Sequence, residues 1–265
     1  MKTQKCFYNQ PTCVSGRTRE HVISASVLKA VFGDPIKNVV WGKYLGEKKL
    51  YNHEQVIRDV CAKCNNEALS PYDTAGVSLI KQLLTHNPTG VRLSLSREII
   101  GWLVKTHLNH IRFINDENSG EIYPIEQRIK SALILQNELP HTLFKLLIEG
   151  WEGEPFYWDA EDVRHISWFN YRSVRFQSQR IVISDFRIKT LNTWLIIPSD
   201  ADYDNFDERV NSALSEAFRD FGLQLQPVNI FQALSDGYID IKQVQPLNEV
   251  KKFIVKKHRW EYSNP

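Results

Sequence analysis

Apolar positions come first in short bursts and later in long periodic runs. Val14 to Ser24, with Ser15-Gly16 as a turn, predicts a β-hairpin. Ser26-Val27-Leu28-Lys29-Ala30-Val31-Phe32 predicts a short helix stopped by Gly33-Asp34-Pro35. Residues 36–60 read as a variable insert with short strands near Val39-Val40-Trp41 and Val56-Ile57, after which Glu67-Ala68-Leu69 opens a longer helix. From Leu79 the period is helical, with Ile99, Ile100, Leu103, Val104, His107 and Ile111 recurring across Arg97–Phe113. His107 and His110 lie three apart and are expected to pack or to face solvent. A further helical stretch is expected over Ile125–Leu147, broken by Pro140.

From Phe156 the pattern turns to strands. Ile166-Ser167-Trp168-Phe169, Ser173-Val174-Arg175-Phe176, Arg180-Ile181-Val182-Ile183 and Thr193-Trp194-Leu195-Ile196 alternate or run apolar between turn residues, and a helix is expected over Phe206–Phe221. The expected fold class is α+β: a small unit over residues 1–78, then a larger mixed α+β part over 79–265, helical to about 150 and strand-rich from about 156. No Ser/Gly-rich linker separates them, so close packing is expected. The sequence carries no P-loop, dinucleotide fingerprint, internal repeat or second metal cluster.

Composition narrows the picture only a little. Of 265 residues, 42% are hydrophobic and 24% charged, enough for a real core. Lys and Arg number 33 against 31 Asp and Glu, a net charge of +2, so any nucleic-acid face must come from local clustering. Met1-Lys2-Thr3-Gln4-Lys5-Cys6 does not read as a signal peptide, and no apolar run reaches bilayer length. The expectation is a cytoplasmic protein with no membrane partner, in a compartment where cysteines serve as metal ligands more often than as disulfides.

All four cysteines lie in the first quarter of the chain: Cys6 and Cys13 with six residues between them, then Cys61 and Cys64 as a CxxC. Two pairs around a long insert is the layout of a structural tetrahedral Zn2+ site, because each pair turns two thiolates toward one ion. Four unrelated buried thiols are the plainer alternative. A redox CxxC fits less well, since no thioredoxin-like pattern surrounds Cys61.

Between the pairs sits Thr18-Arg19-Glu20-His21-Val22-Ile23-Ser24, and the second pair continues as Cys61-Ala62-Lys63-Cys64-Asn65-Asn66-Glu67. In order and type these segments resemble the HNH endonuclease family, in the variant that reads EH where others read DH. The tail Leu69-Ser70-Pro71-Tyr72-Asp73 fits the same pattern. The resemblance covers roughly residues 1–75. It implies a ββα-metal module stapled by zinc, with His21 as general base and Glu20 as ligand of a catalytic Mg2+ or Mn2+. It implies Asn65, which matches the position best, or Asn66 as the second ligand; the other suits a helix N-cap, and the sequence does not separate the two roles. The chemistry is coherent. A histidine can take a proton from water at neutral pH. A carboxylate and an amide oxygen are hard donors for a cation that stabilises phosphate charge. One departure stands out. Many relatives carry an Asn shortly before the CxxC to orient the histidine, whereas Gln55-Val56-Ile57-Arg58-Asp59-Val60 has none. Asp59 or a backbone carbonyl is the expected substitute. Asn52, His53 and Glu54 lie near by, and His53 is assigned to the surface.

DNA is the partner the resemblance implies, with RNA left open as a target, and restriction or phage defence as the context. Arg17, Arg19 and Lys63 beside the motif are candidate phosphate contacts, as are Lys256, Lys257 and Arg259 in the basic, aromatic stretch near the C-terminus. A homodimer or an activating protein is left open for the second part. The rival reading is a non-catalytic zinc knuckle that binds DNA or protein.

Overall fold

The computed structural model describes residues 5–33, 41–42, 50–51, 55–85, 91–118, 124–151, 157–160, 163–166, 169–188, 191–200, 202–221, 228–233, 238–241 and 243–244. It is mixed α and β, with antiparallel pairing throughout except for one short parallel edge. The chain begins with β1 (Thr18–His21), α1 (Ala25–Phe32), the paired short strands β2 (Trp41–Gly42) and β3 (Leu50–Tyr51), and β4 (Val56–Val60). A single π-helical turn, Cys64–Ala68, follows and feeds α2 (Ser70–Thr85). Next come β5 (Val91–Ser94), α3 (Arg97–Asn118) and α4 (Gln127–Leu135). The second half holds β6 (Lys145–Trp151), the hairpin of β7 (Tyr157–Ala160) and β8 (Val163–Ile166), then β9 (Phe169–Phe176), β10 (Ile181–Ile188) and β11 (Leu191–Pro198). It closes with α5 (Phe206–Phe221), β12 (Val228–Asn229), α6 (Ile230–Ala233), β13 (Tyr238–Ile241) and β14 (Gln243–Val244).

The first expectation to fail is the local hairpin at Val14–Ser24. Only Thr18–His21 is extended, and its partner is the distant β4, antiparallel, with His21 opposite Val56 and Glu20 opposite Ile57. Gly16 does take a positive φ of 86°, but no local ribbon forms around it, since β1 pairs with β4. Helix α1 ends as its sequence demands: Gly33 takes φ +87 and its N–H closes on the Lys29 carbonyl. The second failure is the helix expected through Leu147. Gln136 adopts a left-handed cap that ends α4 at Leu135, and the apolar run beyond Pro140 becomes strand β6. A short apolar run reads equally as buried helix or buried strand. Helices α1, α3 and α5 and strands β9 to β11 stand where the pattern puts them.

The sheet runs β12-β6-β11-β10-β9, with β14 also pairing with β6, on the edge that β12 uses. Both faces are covered, which explains why β10 and β11 read as near-continuous apolar runs. On one face Ile181, Ile183, Trp194 and Ile196 meet Phe206, Val210 and Ala213 of α5. On the other, Val182, Phe186, Leu195 and Ile197 join a larger core that includes Trp102 and Leu103 of α3, Tyr72 and Leu79 of α2, and Cys6, Val60 and Cys61. Residue 78, the expected boundary, falls inside α2, and the apolar core continues across it. Helix α3 is the layer between the two ends: it packs on α2 and β4 and on β9, β10 and β11. Among the described residues, no helix is long and apolar enough to cross a membrane.

Candidate functional site

The Cys6–Cys13 loop is built from two tight turns, with Asn9 N–H on the Cys6 carbonyl and Cys13 N–H on the Gln10 carbonyl. Asn9 takes a positive φ of 46° to make the first. Phe7 N–H then bonds the Asp59 carbonyl at 2.8 Å, which lays this loop against β4 just ahead of the CxxC. The outcome is a cluster in which the four sulfurs all lie within 4.8 Å of one another. Cys13 Sγ and Cys64 Sγ are 3.6 Å apart, far beyond a disulfide bond. A tetrahedral zinc with Zn–S bonds near 2.3 Å spaces its sulfurs by about 3.8 Å. Backbone N–H groups support the sulfurs: Cys61 N–H points at Cys6 Sγ (3.4 Å) and Gln10 N–H at Cys13 Sγ (3.2 Å).

Proton competition within the cluster is strong. Burial works to raise the Cys61 thiol, but N–H groups from Cys64 and Val14 outweigh it and bring it down to about 7. Burial and then the neighbouring thiols push Cys64 well up, and burial also raises Cys13. A cation shared by all four sulfurs removes that competition by stabilising every thiolate at once. The four cysteines can bind a metal ion such as zinc, and they pin residues 6–13 to the start of the helical segment.

Glu20 and His21 occupy the last two positions of β1 and face opposite ways, as strand alternation requires. His21 is half-exposed, whereas Glu20 is 2% exposed. Asn65, in the π turn, donates its amide to Thr18 Oγ1 and to the Arg19 carbonyl, both at 3.0 Å, and Thr18 Oγ1 donates to the Val60 carbonyl at 3.1 Å. Asn65 is therefore the residue that ties the helical segment to β1, while Asn66 is exposed. The π turn, closed by Leu69 N–H on the Cys64 carbonyl, gives the extra residue that turns this amide toward the strand.

Behind Glu20 lies a buried polar ladder that the sequence reading did not include. Lys105 and Asn109 of α3 both reach Glu20 Oε1, at 2.8 and 3.0 Å, and Lys105 Nζ also meets Asp73 Oδ1 at 2.6 Å. Asn109 donates to the His21 carbonyl as well (2.9 Å) and accepts from Arg112. Arg112 continues to Asp59 Oδ1 at 2.6 Å and stacks its guanidinium 3.9 Å above the Phe7 ring. Burial opposes charge on Lys105, but Glu20 and Asp73 more than offset it and hold the ammonium above its usual range. Burial raises Asp73, against the pull of Lys105. The available signal was the spacing of Lys105, Asn109 and Arg112 at i, i+4 and i+7 on a helix whose surroundings are apolar.

No protein-family model, curated protein or solved structure matches this chain.

The ladder bears on the expected role of Glu20. A metal ligand needs a free lone pair and no fixed positive charge beside it. Glu20 Oε1 already accepts from an ammonium and an amide, and that fixed positive charge beside the carboxylate works against Glu20 as a ligand of Mg2+ or Mn2+. Asp59, expected to steady the His21 ring, is engaged by Arg112, and the residue that holds the His21 main chain is Asn109. Arg19 and Lys63 are exposed and Arg17 is half-exposed, all near the cluster. Asn52, His53, Glu54, Lys256, Lys257 and Arg259 lie outside the described residues. His107 and His110 pack: they are buried against the sheet, His107 bonding Ser184 and Thr193 at 3.0 and 3.1 Å and His110 bonding Ser184 and Ser173, both at 3.3 Å.

Proposed function

We propose that this chain is an endonuclease of the HNH type that hydrolyses DNA phosphodiester bonds, with His21 as general base and zinc on the four cysteines. The observation that carries the reading is the placement of His21. It is half-exposed at the end of a strand that is braced from the front by Asn65, from behind by Asn109, and at its base by a four-sulfur cluster of zinc dimensions. Strand β1 pairs with β4 and the helical segment begins at the CxxC, which supports a ββα reading built on a distant strand pair in place of the local hairpin. Four free thiols kept for a metal suit a reducing, cytoplasmic setting.

In this reading the His21 imidazole takes a proton from a water molecule. The resulting hydroxide forms a bond to phosphorus, the bond from phosphorus to the 3′ oxygen breaks, and that oxygen takes a proton from solvent. The products are a 5′-phosphate and a 3′-hydroxyl. Arg19 and Lys63 supply exposed positive charge beside the site for the flanking phosphates. Mg2+ or Mn2+ dependence belongs to the family pattern, and no step here runs through Glu20 as its ligand.

One observation favours a second reading. A carboxylate neutralised by a buried lysine is what a site built for binding without turnover would show, and a zinc-stapled DNA- or protein-binding module then results. Nicking of supercoiled plasmid in Mg2+, Mn2+ or EDTA separates the two. The nuclease reading expects metal-dependent nicking that falls by about 100-fold or more in His21→Ala, the usual contribution of a general base. Folded, zinc-loaded wild type that holds plasmid but leaves it intact, with or without Mg2+, would replace it by the binding reading.

A further inference from the structure

Three elements converge on one nitrogen. Lys105 Nζ, from α3, stands 2.8 Å from Glu20 of β1 and 2.6 Å from Asp73 of α2. Lys105 and Glu20 are each 2% exposed, so that contact is nearly dry, while Asp73 keeps 24% of its side chain exposed. Two carboxylate oxygens within hydrogen-bond distance of a single buried point form the donor geometry of a small cation site, and a lysine ammonium fills it. Breaking such a set by removing one member leaves a buried charge unmatched, which structures avoid. Ser24, at the start of α1, adds a hydrogen bond to Asp73, and Asn109 adds one to Glu20, so both carboxylates are held in place from the protein side. Glu20 is covalently next to His21, and Asn109 grips both its carboxylate and the His21 carbonyl.

We propose that the Lys105 ammonium is the resident cation of the Glu20–Asp73 pair, so that Glu20 is a positioning residue for His21 and not a ligand of a catalytic divalent ion. This rests on the nuclease reading for what His21 does, though not for the arrangement itself. Lysine cannot dissociate, so the cation beside Glu20 is fixed by the fold and independent of metal supply. It also requires α3: the unit over residues 1–78 contains both carboxylates but lacks their counter-ion.

The test is Mn2+ binding to the zinc-loaded full chain, followed by the electron paramagnetic resonance signal of free Mn2+. Glu20→Gln is expected to leave the Mn2+ affinity of the wild type unchanged within about twofold. Lys105→Met is expected to gain one Mn2+ site at least tenfold tighter than any in the wild type, and the double variant Lys105→Met, Glu20→Gln to lose it. A tenfold or greater weakening by Glu20→Gln in the otherwise wild-type chain would overturn the proposal, as would a folded Lys105→Met chain that gains no site. If Lys105→Met fails to fold by circular dichroism, the isosteric Glu20→Gln arm decides alone. None of these readouts needs cleavage. Absence of plasmid nicking sinks the nuclease reading and leaves the Mn2+ answer standing. Weakened Mn2+ binding in Glu20→Gln alongside nicking returns Glu20 to the metal and keeps the nuclease.

Discussion

The single amide of Asn109 serves three partners: its nitrogen donates to Glu20 Oε1 and to the His21 carbonyl, and its oxygen accepts from Arg112. Asn109, Glu20 and Arg112 are buried, which leaves little water to replace a lost bond among them. Asn109→Ala is expected to destabilise the chain by about 2–4 kcal/mol, since it strands parts of both an acid and a guanidinium in the interior. Urea unfolding measures this, and a loss below about 0.5 kcal/mol, the range of ordinary surface substitutions, would show that solvent reaches the ladder. At this scale the legible residues were those defined by their neighbours in sequence. The cysteines, Glu20 and His21 belong to short motifs, and strand alternation alone sends Glu20 inward and His21 outward. Asn65 and Asn66 could not be told apart, because a metal ligand and a helix cap ask for the same amide; in the fold the π turn aims the Asn65 amide nitrogen at Thr18 and Arg19. Lys105 and Asp73 were illegible as a pair, since nothing local says which acid a lysine on another helix will meet.

Helices α2 and α3 cross where two glycines remove side chains from the contact. A Cβ at Gly76 would sit 2.5 Å from the Trp102 ring, and one at Gly101 would run into the Tyr72 ring. Both rings are buried, and the Tyr72 hydroxyl donates to the Leu133 carbonyl, so neither can easily move. Alanine in place of Gly101 would gain about 1 kcal/mol of helix propensity, yet overpacking should outweigh it and leave a net loss of about 1–3 kcal/mol. A lower melting temperature for Gly101→Ala checks this, and a higher one would mean that the crossing has slack. The opposite side of α3 meets the sheet through His107 and His110. Burial depresses His107 to about 3, and burial with the neighbouring His107 holds His110 well below its ordinary value. Both are therefore neutral in the fold and protonate in the unfolded chain near pH 6.5. A depressed folded pKa gives stability that is complete above 6.5 and, for His107, drains away as pH falls toward about 3 by about 1.4 kcal/mol per pH unit, with His110 adding a slope of the same sign. Between pH 6 and 5, above most carboxylate titration, the His107→Gln chain should lose about one proton of that slope in unfolding free energy. An unchanged slope would mean that His107 is already solvated. The long period of α3 was plain in the sequence, but its polar residues are buried on two faces at once, one toward the cysteine unit and one toward the sheet. A helix read alone assigns such residues to solvent.

The whole molecule is joined through the cysteine loop as much as through its apolar core. Tyr8, in that loop, is fully buried; its carbonyl accepts from Gln127 of α4 at 2.8 Å, and Gln10 reaches Ser131 of the same helix at 3.0 Å. Arg112 stacks on Phe7 and thereby connects the loop to α3, which in turn carries the sheet. This is why composition and motif spacing suggested two units: the cysteine pattern is local and self-announcing, while the contacts that merge it with the rest join residues from 32 to 121 positions apart. The merged core has a measurable consequence for metal removal. Structural zinc contributes folding energy outright in small thiolate sites. In an isolated knuckle that loss would stop at the knuckle, but here the loop supports α3 and α4, and α3 supports the sheet. Chelation of the metal-loaded chain should therefore lower the unfolding midpoint of the sheet as well as of the N-terminal unit, in one transition seen alike by tryptophan fluorescence and by far-ultraviolet circular dichroism. Two separated transitions, with the later one untouched by chelator, would show that the sheet folds without the cysteine unit and that the core shared through α3 contributes little between them.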